Sequence, residues 1–262
     1  MSHRGKLRYV TDFGPLVRSV LAIQELSLRR DWLCSYVRSQ PPAERAIVLN
    51  GLCEAAECGE PRAREALVAL VVLLARDGQS PWVVELRERA TRECLSSIGR
   101  LLRHYPLESE TITENTTVPD YGVGRELTLG ERRSLARRPH RAAFDKLLMD
   151  PHPLVLEQLL GNPRLTELDV VRVAARRPAH PSTMLQLSTF SGWLVRTRVR
   201  LTLIHNPGAP CTLVVPLIAL CTRQELREIV QDPTLHPVAR SVANELFERR
   251  PPFGPVDSAE LQ

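Results

Sequence analysis

The stretch MDPHPLVLEQLLGNPRLTELDVVRVAARRPAHP, residues 149–181, decides the fold class. Two apolar runs, LVLEQLL and ELDVVRVAA, are separated by GNPRL and bracketed by DPHP and RRPAHP. A residue that precedes proline avoids helical geometry, so Asp-Pro, Asn-Pro and Arg-Pro are physical stops for a helix. A proline in the first turn of a helix loses no hydrogen bond, so Pro153 and Pro181 read as restarts. Each apolar run is therefore expected to be one short helix.

The same punctuation recurs on both sides, in ARRPH (136–140), HNPGAP (205–210) and QDPTLHP (231–237), with a restart at Pro237. Helices of about 8–12 residues are marginal in isolation and need neighbours to lean on. Residues 128–250 are accordingly read as a C-terminal α-solenoid of short helical repeats. One passage, LVRTRVRLTL (194–203), alternates with a strand-like period of two, but Val195, Val199 and Leu203 also recur at four-residue steps, and helix is favoured.

Val195-Arg196-Thr197-Arg198-Val199 running to Asn206-Pro207, together with DPHPLVLEQLLGNPRL at 150–165, resembles the leucine-rich-repeat-variant and HEAT-like repeat families. The resemblance covers about residues 129–249 and implies stacked helices presenting a long binding surface. The stops at prolines 151, 163, 178, 207 and 233 are separated by 12, 15, 29 and 26 residues, so the repeat length varies.

Working toward the N-terminus, residues 1–104 read as a helical bundle or array. Leu16, Val20, Ile23 and Leu26 suggest two helices or one bent one over 12–39. A helix follows over about 43–58, with Gly59 suited to its cap. Pro61 opens the next, about 61–76, apolar on most of its circumference and therefore expected at the centre of this half. Ser80-Pro81 opens another as cap and first-turn proline. From there Val83, Leu86, Ala90, Cys94, Ile98 and Leu101 trace a single apolar stripe, predicting one long amphipathic helix.

Residues 105–127 are acidic and rich in Thr, Pro and Gly, and read as a linker or surface loop. A sharper reading lays this segment, at net charge −4, against the repeat half, at net +7. Asn115-Thr116-Thr117 matches a glycosylation acceptor that a cytoplasmic chain would not use. The tail, 251–262, reads as a frayed end.

The composition agrees with an all-α protein. Only 13 glycines and 5% aromatics argue against a sandwich or barrel. Of 35 basic residues only Lys6 and Lys146 are lysine, a skew most simply due to GC-rich coding. The six cysteines form no CxxC pair, and Cys94 and Cys221 lie in apolar helical stretches, where a thiol acts as a small hydrophobe. The longest apolar run, LVALVVLLA at 67–75, is about half of what a bilayer crossing requires. No signal peptide is expected, and the chain reads as cytoplasmic.

No nucleophile elbow, Walker loop, HExxH or paired-cysteine zinc pattern occurs in the sequence, and neither a catalytic centre nor a metal or other cofactor is expected. Gly122-Val123-Gly124 lacks the third glycine and the preceding strand of a dinucleotide fingerprint. His152, His180 and His236 each precede a proline and are read as helix-start residues.

Arginines are the candidate partner-binding groups: Arg137, Arg138 and Arg141 (beside Arg132 and Arg133), Arg176 and Arg177, and Arg196 and Arg200. Those at helix ends also suit the negative pole of the helix. The expected function is a non-catalytic protein-binding scaffold or adaptor whose partner is another protein with an acidic surface. A nucleic-acid-binding solenoid is second, because Trp193 is the only tryptophan of the repeats and base stacking wants aromatics.

Overall fold

Proline and threonine chemistry sets most of the helix boundaries. The computed structural model describes residues 12–105, 117–138, 140–177 and 181–250. His180, the Asn115 acceptor, residues 106–116 of the acidic segment and the tail lie outside the described residues. The chain is all-α, with no strand among the described residues.

The N-terminal helices are α1 (Gly14–Ala22), α2 (Leu26–Ser39), α3 (Pro42–Glu57), α4 (Pro61–Asp77), α5 (Pro81–Arg92) and α6 (Ser96–Leu101). After the acidic segment come α7 (Leu129–Arg137), α8 (Phe144–Leu147), α9 (Pro153–Leu160), α10 (Glu167–Ala174), α11 (Pro181–Gln186), α12 (Ser191–Leu194) and α13 (Thr197–Ile204). The last three are α14 (Cys211–Ile218), α15 (Arg223–Gln231) and α16 (Pro237–Arg249). Pro153, Pro181 and Pro237 each open a helix, and 197–204 is helix rather than strand.

Three helices of the second half begin with a reciprocal capping box, Thr128/Glu131, Thr166/Asp169 and Thr222/Glu225, which satisfies two otherwise orphaned N–H groups each. His152 and His236 work similarly: each Nδ1 accepts the N–H two residues on, at 3.2 Å in both cases. The Asx-Pro stops share one geometry. Asp150, Asn162, Asn206 and Asp232 each accept, on Oδ1, the N–H of residue i+2 at 2.9–3.0 Å.

Asn162 and Asn206 also reach backward. Asn162 Nδ2 donates to Ala136 O (2.7 Å) and Arg138 O (2.9 Å) at the end of α7. Asn206 Nδ2 donates to Ala174 O (2.6 Å) and Arg176 O (3.0 Å) at the end of α10. Each buried amide thus ties the loop after one helix to the C-terminal carbonyls of an earlier one.

The core runs unbroken from the N-terminal helices into the C-terminal ones. α4 is its axis: residues 69–75 are all buried, and α1, α2, α3 and α14 pack around it. Every residue of α14 is buried, Pro216 included. At this contact Gly78 is required for space: a Cβ there would lie 2.7 Å from Thr212 Cβ. Charges close the same seam. Arg100 and Glu57, each 3% exposed, pair at 2.8 Å, and Glu245 of α16 takes Arg100 and Arg103 at 3.1 and 2.6 Å. No single described helix is long and apolar enough to cross a membrane.

Two expectations for residues 80–101 are corrected. The single long helix is broken: α5 stops at Arg92, and Cys94 turns the chain with φ +55°. Leu95 N–H reaches back to Ala90 O (2.9 Å) and Cys94 N–H to Thr91 O (3.4 Å), a Schellman end built without glycine. Cys94 is therefore exposed at a turn, whereas Cys221 is buried. Ser80 holds the cap position of α5, but its hydroxyl makes no cap bond and is buried without a partner among the described residues.

Of the acidic segment, 117–127 contains no helix, and Gly122 and Gly124 adopt positive φ as turn glycines. Tyr121 anchors it to the second half, donating its hydroxyl to Asp150 Oδ2 at 2.8 Å. Asp150 is itself buried and paired with Arg132 at 2.6 Å.

Candidate functional site

Six of the seven candidate arginines fall into two kinds, and Arg138 stands apart. Most are struts between helices. Arg137 donates to Gln158 at 2.6 Å, joining α7 to α9. Arg141 grips both carboxylate oxygens of Asp169, at 2.9 and 3.0 Å, and so braces the capping box of α10. Arg176 donates to Met149 O and Asp150 O, both at 3.2 Å, and Arg177 to His205 O at 2.7 Å. These two do neutralise helix-end carbonyls, but those of neighbouring segments rather than their own. Burial holds the Arg176 guanidinium below its usual pKa. Arg138 is exposed, and its guanidinium has no partner among the described residues.

Arg196 and Arg200 are of the second kind, because each walls an open cleft at the seam between the halves. The Arg196 cleft, about 320 Å³, lies between the start of α2 and the residues around α12. Arg196 stacks on Trp193 (4.8 Å to the ring centroid) and pairs with Glu167 at 3.2 Å, with half its side chain exposed. Phe190 lines the same cleft, and Trp193 is oriented by its Nε1–H, which donates to Leu160 O at 3.2 Å. Across the opening, Arg30 donates to Thr189 O at 3.2 Å.

The second cleft, about 280 Å³, brings together Arg64 of α4, Arg200 of α13 and Arg250, just past α16. Its remaining wall is mostly apolar, from Leu67, Val68, Val195 and Leu220. Arg200 is 6% exposed. It donates to Val195 O at 3.1 Å and lies 3.4 Å from Glu225, the acid of a capping box. Arg64 donates to Ala56 O at 3.2 Å and Arg250 to Ala219 O. The Nε–H groups of Arg200 and Arg250 are buried and find no acceptor among the described residues. Burial, and then the neighbouring Arg64 charge, depress the pKa of Arg250. The Cys221 thiol, also on this wall, is pushed up to about 12 by burial and stays protonated, so it is no nucleophile at neutral pH.

Sequence reasoning found Arg196 and Arg200 but missed Arg64 and Arg250. Arg250 lies in ERRP at a helix end like several other arginines, and Arg64 sits in the first turn of a helix read as mostly apolar, so neither stands out locally. Only the packing of α14 and α16 on the first half makes them neighbours of Arg200. No group of three or more His, Cys, Asp or Glu side chains placed to hold a metal ion occurs among the described residues. His205 and Asp232, 2.9 Å apart, tie two Asx-Pro turns together.

The chain has no significant match to any known protein family, to any curated protein or to any solved structure.

Proposed function

We propose that the protein is a non-catalytic scaffold or adaptor that holds an acidic segment of another protein at the Trp193–Arg196 cleft. The observation that carries this reading is the pairing of an aromatic platform with a half-exposed guanidinium in an open cleft of about 320 Å³. Trp and Arg dominate binding hot spots because they bury large area at low entropic cost while offering directed polar contacts. An acidic partner suits the +7 balance of residues 128–250. We further read the second half as a HEAT-like or leucine-rich-repeat-variant α-solenoid in a cytoplasmic protein. The recurrent capping boxes and the backward-reaching Asn162 and Asn206 support that architecture.

Nucleic acid is the second-choice partner. Arg137, Arg141, Arg176 and Arg177 are engaged with internal acceptors, which lowers the number of guanidinium groups free for phosphates. The test is affinity capture from the native cell with nuclease treatment, comparing the parent with Arg196→Glu. A partner retained after nuclease by the parent and lost at least tenfold by the variant supports the reading. A nuclease-sensitive partner, or one held equally by both proteins, overturns it.

A further inference from the structure

The Arg64–Arg200–Arg250 cleft has a different chemistry from the Trp193 cleft, and a ligand in it is independent of the partner-binding reading. Three guanidinium groups line one opening, and among the described residues Glu225 is the one carboxylate paired with them, which leaves an excess of two positive charges. Arg200 is more than nine-tenths buried, so its charge is held close to the apolar wall. All three side chains line the cleft, so an oxyanion inside it lies beside guanidinium donors. The planar guanidinium fork suits oxyanions held through paired N–H···O bonds. Leu67, Val195 and Leu220 supply an apolar wall beside the charges, and about 280 Å³ is near the lower end of ligand-pocket size.

We propose that this cleft binds a phosphate monoester dianion whose organic group lies against the apolar wall. Charge selects the class: a phosphate monoester carries about −1.5 to −2 at pH 7 and so matches the excess of two, whereas a carboxylate leaves one charge uncompensated. The ester can belong to a free small molecule or to a phosphorylated side chain, since the phosphate presents the same oxygens in both.

The test is calorimetric titration of the full chain in chloride buffer with phenyl phosphate, benzoate and an N-acetylated phosphoserine peptide. Saturable binding of one phenyl phosphate or one phosphopeptide, at least tenfold tighter than benzoate, is expected. Affinity should fall several-fold from pH 7.5 to pH 5 as the dianion protonates near pH 6. Whichever phosphate binds tighter names the source, and either result upholds the site. Arg64→Ala and Arg250→Gln should each weaken binding about tenfold. Arg172→Ala, which removes an exposed ion pair with Asp145, should leave it unchanged. Arg64 is exposed, so its variant keeps the fold even where Arg250→Gln does not. No saturable binding, benzoate equal to phenyl phosphate, or an Arg64→Ala protein that binds like the parent would each overturn the proposal.

Discussion

Replacing Asn206 with Ala should cost about 3 kcal/mol of stability, because one amide serves two segments. Its side chain is 3% exposed. It donates to Ala174 O and Arg176 O at 2.6 and 3.0 Å and accepts Gly208 N–H at 2.9 Å. Each such bond contributes about 1 kcal/mol net, and a buried carbonyl left without a donor adds about 1–3 kcal/mol more, so about 3 kcal/mol is the lower bound of the loss. In a chain of 262 residues this corresponds to a Tm lower by about 6–12 °C. Asn162→Ala should do the same, since its three bonds have matching lengths of 2.7, 2.9 and 3.0 Å. Asn206→Asp separates bond loss from cavity formation. It keeps the acceptor for Gly208 but turns a carboxylate toward two carbonyl oxygens, so it should be worse than Ala at pH 7 and recover as pH falls. Urea melts followed by helical circular dichroism provide the readout, with an unchanged slope and a lower midpoint expected. Asn244→Ala, which removes one surface bond to Glu248, serves as the control. Losses below 1 kcal/mol for both buried asparagines, or no larger than the control's, would refute the view that they tie the loops after α9 and α13 back to the ends of α7 and α10.

Gly78→Ala tests the contact between α4 and α14 through its sign. Helix propensity alone predicts stabilisation by up to 1 kcal/mol. The added Cβ, 2.7 Å from Thr212 Cβ and 3.0 Å from Leu74 O, instead predicts a loss of about 2 kcal/mol, measured as a lower urea midpoint. Cys94→Gly should raise stability by about 1 kcal/mol, because φ +55° strains any side chain there; a thermal melt no higher than that of Cys94→Ala would contradict the assigned turn. Stability should fall in acid. Burial raises the pKa of Asp77, Asp169 and Glu245, but bonds from Arg76, Arg141 and Arg103 outweigh it and hold all three below their ordinary values. A lowered folded pKa means that the contribution is complete above about pH 5 and lost as pH drops through the folded value. Arg141→Met should therefore lower stability at pH 7 by an amount that shrinks as pH falls through the lowered Asp169 value, leaving only the part due to its bond to Arg164 O and its stacking on Phe144, and a pH-independent difference in denaturation midpoint would contradict the Asp169 assignment.

The amino-acid sequence by itself determined the helices, because their boundaries are local chemistry. Prolines 153, 181 and 237 begin helices for steric reasons that act within one turn, and Thr128-x-x-Glu131, Thr166-x-x-Asp169 and Thr222-x-x-Glu225 are capping signals of the same short range. Where local signals were weak, the reading went astray. Val83 to Leu101 keeps helical spacing across the turn at Cys94, because Ile98 and Leu101 are buried beyond the break and no glycine marks it.

Only the tertiary structure decided what the arginines do. A guanidinium in the sequence is equally a surface charge, a strut or a ligand group. Arg141 became a strut because Asp169 lies within reach, and Arg200 became part of a cleft because α4 and the end of α16 bring Arg64 and Arg250 beside it. Helix boundaries depend on neighbours a few residues away, whereas the environment of a long side chain depends on segments that meet only once the core has closed.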